Sequence, residues 1–177
     1  MGDEEILSLA QRVGFEHYGM MDVSKLCFQQ EVRDMCRTGR CDSYGKCWTC
    51  PPACGTLEEA AERAGRYRRG ILLQTTGQME DDFDFETMME AEQLQKQRFF
   101  RFVEEVRREY PDCLPMATGR CTICEQCAYP DGPCRIPERA IPSMEAYGLL
   151  VSKTCADSGV TYYYGPRTIT YTACVLF

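Results

Sequence analysis

Thr56-Leu57-Glu58-Glu59, followed at Gly70 by Ile71-Leu72-Leu73-Gln74-Thr75-Thr76, is the stretch from which the fold can be read. Threonine with glutamate three residues on is a capping box: each side chain can satisfy a backbone N–H that the first helical turn leaves without a partner. A helix therefore starts here and runs to about Tyr67. Gly70 closes it, and the apolar run from Ile71 to Thr76 follows as a buried strand. Downstream, Glu80-Asp81-Asp82-Phe83-Asp84 suits the positive N-terminal end of a helix. That helix spans about Phe85 to Tyr110, with Met88, Phe99, Val103, Val106 and Tyr110 recurring at helical spacing as core, and Pro111 ends it. Leu114 to Thr118 reads as a short strand. Ser143 is placed as the N-cap of a helix reaching Gly159. Val160–Tyr164 and Thr168–Phe177 are β-branched and aromatic, and Gly165-Pro166 between them predicts a hairpin.

Upstream, residues 4–13 predict a helix with Ile6, Leu9, Ala10 and Val13 on one side, and Phe15 to Val23 a short strand. Asp22 or Ser24 caps a further helix from about Lys25, carrying Leu26, Phe28 and Val32, with Cys27 as a small buried hydrophobe among them. Strands alternating with helices and ending in a hairpin predict an α+β fold: a mixed β-sheet covered by helices, with two cysteine-rich loops, in one domain over 1–177.

The bulk composition narrows the function. With 177 residues, 44% of them hydrophobic, the chain is large enough for a real core and is not a disordered one. Thirteen cysteines fit either a disulfide scaffold or a metal protein. The count is odd, a chain of this size needs no staples, and the acidic start has no apolar run of signal-peptide type. These points favour a cytoplasmic metal protein. A net charge of −7 argues against nucleic acid as a partner, and no segment is apolar enough to span a membrane. No glycine-rich phosphate loop supports nucleotide or flavin binding, and His17, the one histidine, rules out a Rieske centre.

The sharpest motif is Cys121-Thr-Ile-Cys124-Glu-Gln-Cys127 with Cys134 after the turn through Pro130, Asp131, Gly132 and Pro133. Three thiols at two-residue intervals and a fourth returning to close the loop is how ferredoxin-type proteins hold a [4Fe–4S] cube. Zinc also takes four thiolates, but its sites are usually built from two separate C-x2-C pairs. Arg120 and Arg135 flank the motif and would offset a cluster's negative charge. An earlier region carries Cys36, Cys41, Cys47, Cys50 and Cys54, five thiols where a cube needs four; Cys47-Trp48-Thr49-Cys50 also has the form of a dithiol redox motif. Cys113, Cys155 and Cys174 are isolated, and Cys174 is a candidate distant ligand.

Taken together, Glu31-Val32-Arg33-Asp34-Met35-Cys36, Cys41-x-x-Tyr44-Gly45-Lys46 and Trp48-Thr49-Cys50-Pro51-Pro52 resemble the DUF2284 family of predicted metal-binding proteins. So do the triple-cysteine loop, Pro133-Cys134-Arg135-x-Pro137 and Ser143-Met144-Glu145-Ala146-Tyr147-Gly148. The resemblance runs from about residue 10 to the end. It implies cytoplasmic proteins with iron–sulfur ligands: Cys121, Cys124, Cys127 and Cys134 at one site, and Cys36, Cys41, Cys50 and Cys54 at the other. Cys47 falls where the family pattern does not require cysteine.

The resulting expectation is an iron–sulfur protein with one or two [4Fe–4S] clusters that passes electrons to a redox partner protein. The alternative is a zinc-stapled structural module. An enzyme in which one cluster has only three cysteine ligands and binds substrate is a third reading, with Tyr162, Tyr163 and Tyr164 lining its pocket. An exposed final strand would give a second copy of the chain an edge to pair with.

Overall fold

The computed structural model describes residues 1–177, without the side chains of residues 39 and 40. In chain order the regular elements are α1 (Asp3–Val13), β1 (His17–Asp22), α2 (Gln30–Met35), α3 (Leu57–Ala64), β2 (Arg69–Gln78), α4 (Phe85–Arg107), β3 (Leu114–Met116), α5 (Val151–Asp157) and β4 (Thr168–Leu176). The four strands form one sheet in the order β1-β2-β4-β3. All three strand pairs are antiparallel. The mixed character expected from the sequence is confined to one isolated parallel bridge, Ala117 to Ser143.

Alternation along β2 and β4 decides which helices cover which face. Ile71, Leu73, Ala173 and Val175 point to one side, where they pack against Ile6, Leu9 and Ala10 of α1 and Phe99, Phe102, Val103 and Val106 of α4. Leu72, Cys174 and Leu176 point to the other, against Ala60 and Ala64 of α3, Cys155 of α5, and Met144, Tyr147 and Leu149. The sheet is thus buried on both faces, and the α+β expectation with helices over the sheet holds. Thr56 forms the expected capping box with Glu59, and Asp84 caps α4 through the N–H of Thr87.

Several local expectations fail for tertiary reasons. Thr168–Leu176 does not pair with Val160–Tyr164; it inserts between β2 and β3, where it gains a neighbour on both sides. That second neighbour spans only Cys174–Leu176; Thr168–Ala173 pairs with β2 alone. Tyr164 leaves the strand path to donate from its hydroxyl to Gln74 Oε1 at 2.8 Å and to stack on His17 at 3.9 Å between ring centroids. Tyr162 and Tyr163 are exposed. The helix expected from Ser143 breaks at Gly148. Its φ of +79° is open to glycine, and a Cβ there would lie 2.4 Å from Leu57 Cδ1 and 2.9 Å from the Gln29 carbonyl. Asp22 caps only a 3-10 turn over Val23–Lys25, α2 begins later at Gln30, and Cys27 is exposed between them instead of buried.

Glu16 ties the α1–β1 turn to the sheet. Its carboxylate accepts from the N–H and hydroxyl of Thr76, each at 3.0 Å, and from Arg98 at 3.2 Å. Burial pushes the Glu16 pKa up, but these donors outweigh it and hold the carboxyl below its ordinary value. A carboxyl depressed on folding stabilises above the unfolded value of about 4.3 and loses that contribution as pH falls through the folded value. Glu16→Gln is expected to lower Tm by roughly 2–4 °C near neutral pH, for about 1 kcal/mol of lost hydrogen bonding. The gap should close as the melts are repeated down to about pH 3.

Candidate metal centre

Both cysteine regions lie in the loops that leave this scaffold. The second follows β3 and is drawn into a closed excursion. Ala117 N–H donates to the Pro142 carbonyl at 2.9 Å and Met144 N–H to the Ala117 carbonyl at 3.2 Å, so the ends of the loop meet. Inside it, Gly132 N–H donates to the Ala128 carbonyl at 2.9 Å, and Arg135 Nη1 spans back to the Gln126 carbonyl at 2.8 Å. Closing the loop brings Cys121, Cys124, Cys127 and Cys134 around one small cavity.

A fifth thiol, Cys47, faces the same cavity, together with Trp48 and Thr49. The first region is folded so that this happens. Gly45 N–H donates to the Pro51 carbonyl at 2.9 Å and Cys50 N–H to the Cys47 carbonyl at 3.1 Å, which makes residues 47–50 a tight turn. The turn is clamped to the second loop by three contacts. Trp48 Nε1 donates to the Gly132 carbonyl at 3.0 Å, its ring meets Tyr129 edge-on at 5.0 Å, and Thr49 Oγ1 accepts from Cys121 N–H at 3.3 Å. Cys47 thus points into the second loop while Cys50, three residues on, borders a separate cavity with Cys36 and Cys41. Sequence spacing read Cys47 as one of the five thiols of the first region or as half of a dithiol; the local cue to its actual position is the neighbouring lone tryptophan, whose polar edge needs a partner when half-buried.

Cys54 stands beside the first set. Its Sγ lies 3.8 Å from Arg33 Nη2 and 3.8 Å from the Ala146 carbonyl. Arg33, buried on α2, is itself fixed by donating to the Gly55 carbonyl at 2.6 Å. Arg120 turns away from the motif it precedes and borders the first cavity, whereas Arg135 stays with the second. Cys174 is brought to neither. It is fully buried on β4 between Leu72 and Leu176, a small core residue rather than a distant ligand.

The electrostatics of the thiols differ between loops. Burial pushes Cys36 and Cys50 up, with neighbouring Cys41 adding to Cys36 and Cys47 adding to Cys50. Burial also raises Cys54, against the pull of Arg33. For Cys121, burial outweighs the N–H of Ile123 and the net shift is upward. Cys127 goes the other way: burial raises it, but the N–H groups of Tyr129 and Trp48, the Cys47 thiol and Arg135 together bring it below the ordinary thiol value. Backbone N–H groups aimed at sulfur stabilise the thiolate that any metal requires.

Among the described residues no three His, Cys, Asp or Glu side chains are drawn together closely enough to hold a single ion; the thiols stand around their cavities. The donor set of the second loop nonetheless fits a thiolate-held metal centre in its chemistry: sulfur ligands, Ile123, Ile136 and Ala140 as apolar wall, and surroundings that favour the Cys127 thiolate.

The model of the DUF2284 family, described as predicted metal-binding protein, matches residues 19–177. The chain belongs to this family. The match takes in both cysteine regions of the DUF2284 protein and all four strands except the first residues of β1. No curated protein and no solved structure matches it. Among the described residues the DUF2284 chain has no helix long and apolar enough to cross a membrane.

Proposed function

We propose that this DUF2284 protein is an iron–sulfur protein, carrying one [4Fe–4S] cluster on Cys121, Cys124, Cys127 and Cys134 and a second metal centre in the first region, and that it passes single electrons to a redox partner protein. The observation that carries the reading is the ring of sulfur around one small cavity in the second loop, where neighbouring N–H groups help to hold Cys127 below the ordinary thiol value. Such N–H donors lower the cost of the extra negative charge a cluster takes up on reduction, and so help set its potential. The triple C-x2-C spacing supports iron over zinc. When bound, the cluster would supply the electron; the chain's own residues hold the thiolates, exclude water with Ile123 and Ile136, and place Arg135 beside the charge.

The turn 47–50 supports exchange between the two regions, because Cys47 and Cys50 face different cavities from one short piece of backbone. Protein loaded anaerobically and reduced with dithionite is expected to give an iron–sulfur EPR signal and then to reduce ferric cytochrome c, a one-electron acceptor. A colourless protein that carries zinc and reduces nothing would support the structural module instead.

Trp48 provides a local check. It is the chain's one tryptophan and borders the second cavity. Its emission is expected to fall strongly on loading with ferrous iron and sulfide and to recover when the metal is chelated away. Unchanged emission in iron-loaded protein would place the metal elsewhere.

A further inference from the structure

The second-loop cavity has one thiol more than a cube needs. Cys121, Cys124, Cys127 and Cys134 reach it from the loop itself, and Cys47 reaches it from the first region. Cys47 is the most deeply buried of the five: it is 4% exposed, whereas the four loop thiols are half-buried. A buried cysteine is often only a small core residue. Cys47 is not one, since it belongs to neither hydrophobic cluster that covers the sheet.

The residues that follow Cys47 hold it in place. Trp48 Nε1 donates to the Gly132 carbonyl, and the indole meets Tyr129 edge-on. Both contacts fall just after Cys127 in the chain, so the turn carrying Cys47 is seated on the stretch that Cys127 opens. Thr49, buried beside it, makes the third contact: its Oγ1 accepts from Cys121 N–H at 3.3 Å and lies 3.3 Å from Cys47 Sγ. A hydroxyl that accepts from an N–H keeps its own proton to donate. The nearest sulfur to receive that proton is Cys47, and a hydrogen bond donated to sulfur favours the thiolate that a metal takes.

We infer that Cys47 is an exchangeable fifth ligand of the second-loop centre, taking over the corner held by Cys127 when that thiolate leaves the iron. The exchange balances without a change of redox state. Cys47 gives up its thiol proton as its sulfur bonds to iron, the bond from iron to Cys127 breaks, and the departing thiolate takes up a proton. The consequence is a change of anchor. An iron held by Cys47 is joined through Trp48 and Thr49 to Cys50 at the first cavity, a link that Cys127 does not provide. The inference rests on the reading that the second loop holds a cluster.

The test uses the full chain, reconstituted anaerobically with iron and sulfide and read by iron and acid-labile sulfide analysis and by EPR after dithionite. The unsubstituted protein sets the upper level. Cys124→Ser/Cys127→Ser protein, left with three thiols at the cavity, sets the level without the second-loop centre. Cys127→Ala, which offers a metal no side-chain ligand, is expected to hold the upper level with a shifted EPR spectrum, because one corner has a new ligand. Cys127→Ala/Cys47→Ala is expected to fall to the lower level, a loss of about four irons per chain. Cys47→Ala alone is expected to hold the upper level, since neither the fold nor the cluster needs that sulfur while Cys127 is present. A fall of Cys127→Ala to the lower level overturns the exchange and leaves the four-thiol cluster standing. Iron retained by Cys127→Ala/Cys47→Ala, or an unshifted spectrum in Cys127→Ala, overturns it as well. Loss of iron from Cys47→Ala alone overturns it by making Cys47 a permanent ligand. Unsubstituted protein with no more iron than the Cys124→Ser/Cys127→Ser reference overturns the second-loop cluster, and this inference with it.

Discussion

Cys124→Ser/Cys127→Ser protein, loaded anaerobically with iron and sulfide, is expected to hold about half the iron of the unsubstituted chain and to lose the EPR signal of the second loop while keeping that of the first. Two substitutions are needed. Five thiols border this cavity, so a single serine leaves four, with Cys47 positioned to stand in for the missing one. Removing both Cys124 and Cys127 also removes the thiol that its surroundings hold below the ordinary value. The first region should be spared, because Cys36, Cys41 and Cys50 border a different space. Full iron content in the double variant would contradict the ligand assignment. Loss of all iron would mean that the two regions load as one unit through the 47–50 turn.

Phe102→Ala is expected to cost about 3–5 kcal/mol, the range for deleting a fully buried aromatic side chain. Phe102 is 0% exposed, at the centre of the α1–α4–sheet core, and meets Phe15 edge-on at 6.1 Å. The aromatic contact adds to the cavity left behind. For a chain of this size the loss corresponds to a Tm lower by roughly 6–20 °C. Phe102 borders neither cysteine cavity, so the variant should still take up iron at low temperature. Thermal melts of the metal-free protein check the first part and iron analysis the second.

The two substitutions separate what holds the fold from what the loops do, and the sequence carried these unequally. The capping box at Thr56, the buried run after Gly70 and the long periodic helix from Phe85 were legible because each is decided locally, by a side-chain cap or by hydrophobic period. The place of Thr168–Leu176 was not. A β-branched run beside a turn reads as half of a hairpin, but pairing with β2 and β3 buries Ala173, Cys174, Val175 and Leu176 completely, which a two-stranded ribbon could not do. Gly148 is a similar case: only the approach of Leu57 and the Gln29 carbonyl explains why the chain turns there. For the candidate site, the four thiols that spacing groups in the second loop border one cavity. Spacing could not assign Cys47, whose direction depends on Trp48 reaching Gly132, 84 residues away in the chain. Nor could it separate Cys27, exposed, from Cys174, in the core, since both stand among apolar neighbours.

The claim on which the function depends is that the 121–134 loop holds iron and inorganic sulfide. Protein prepared without oxygen and assayed for iron, zinc and acid-labile sulfide decides it. About four irons and four sulfides per chain for one cube, or more if the first region also loads, is the predicted result. Stoichiometric zinc with neither iron nor sulfide, unchanged after anaerobic reconstitution, would contradict it.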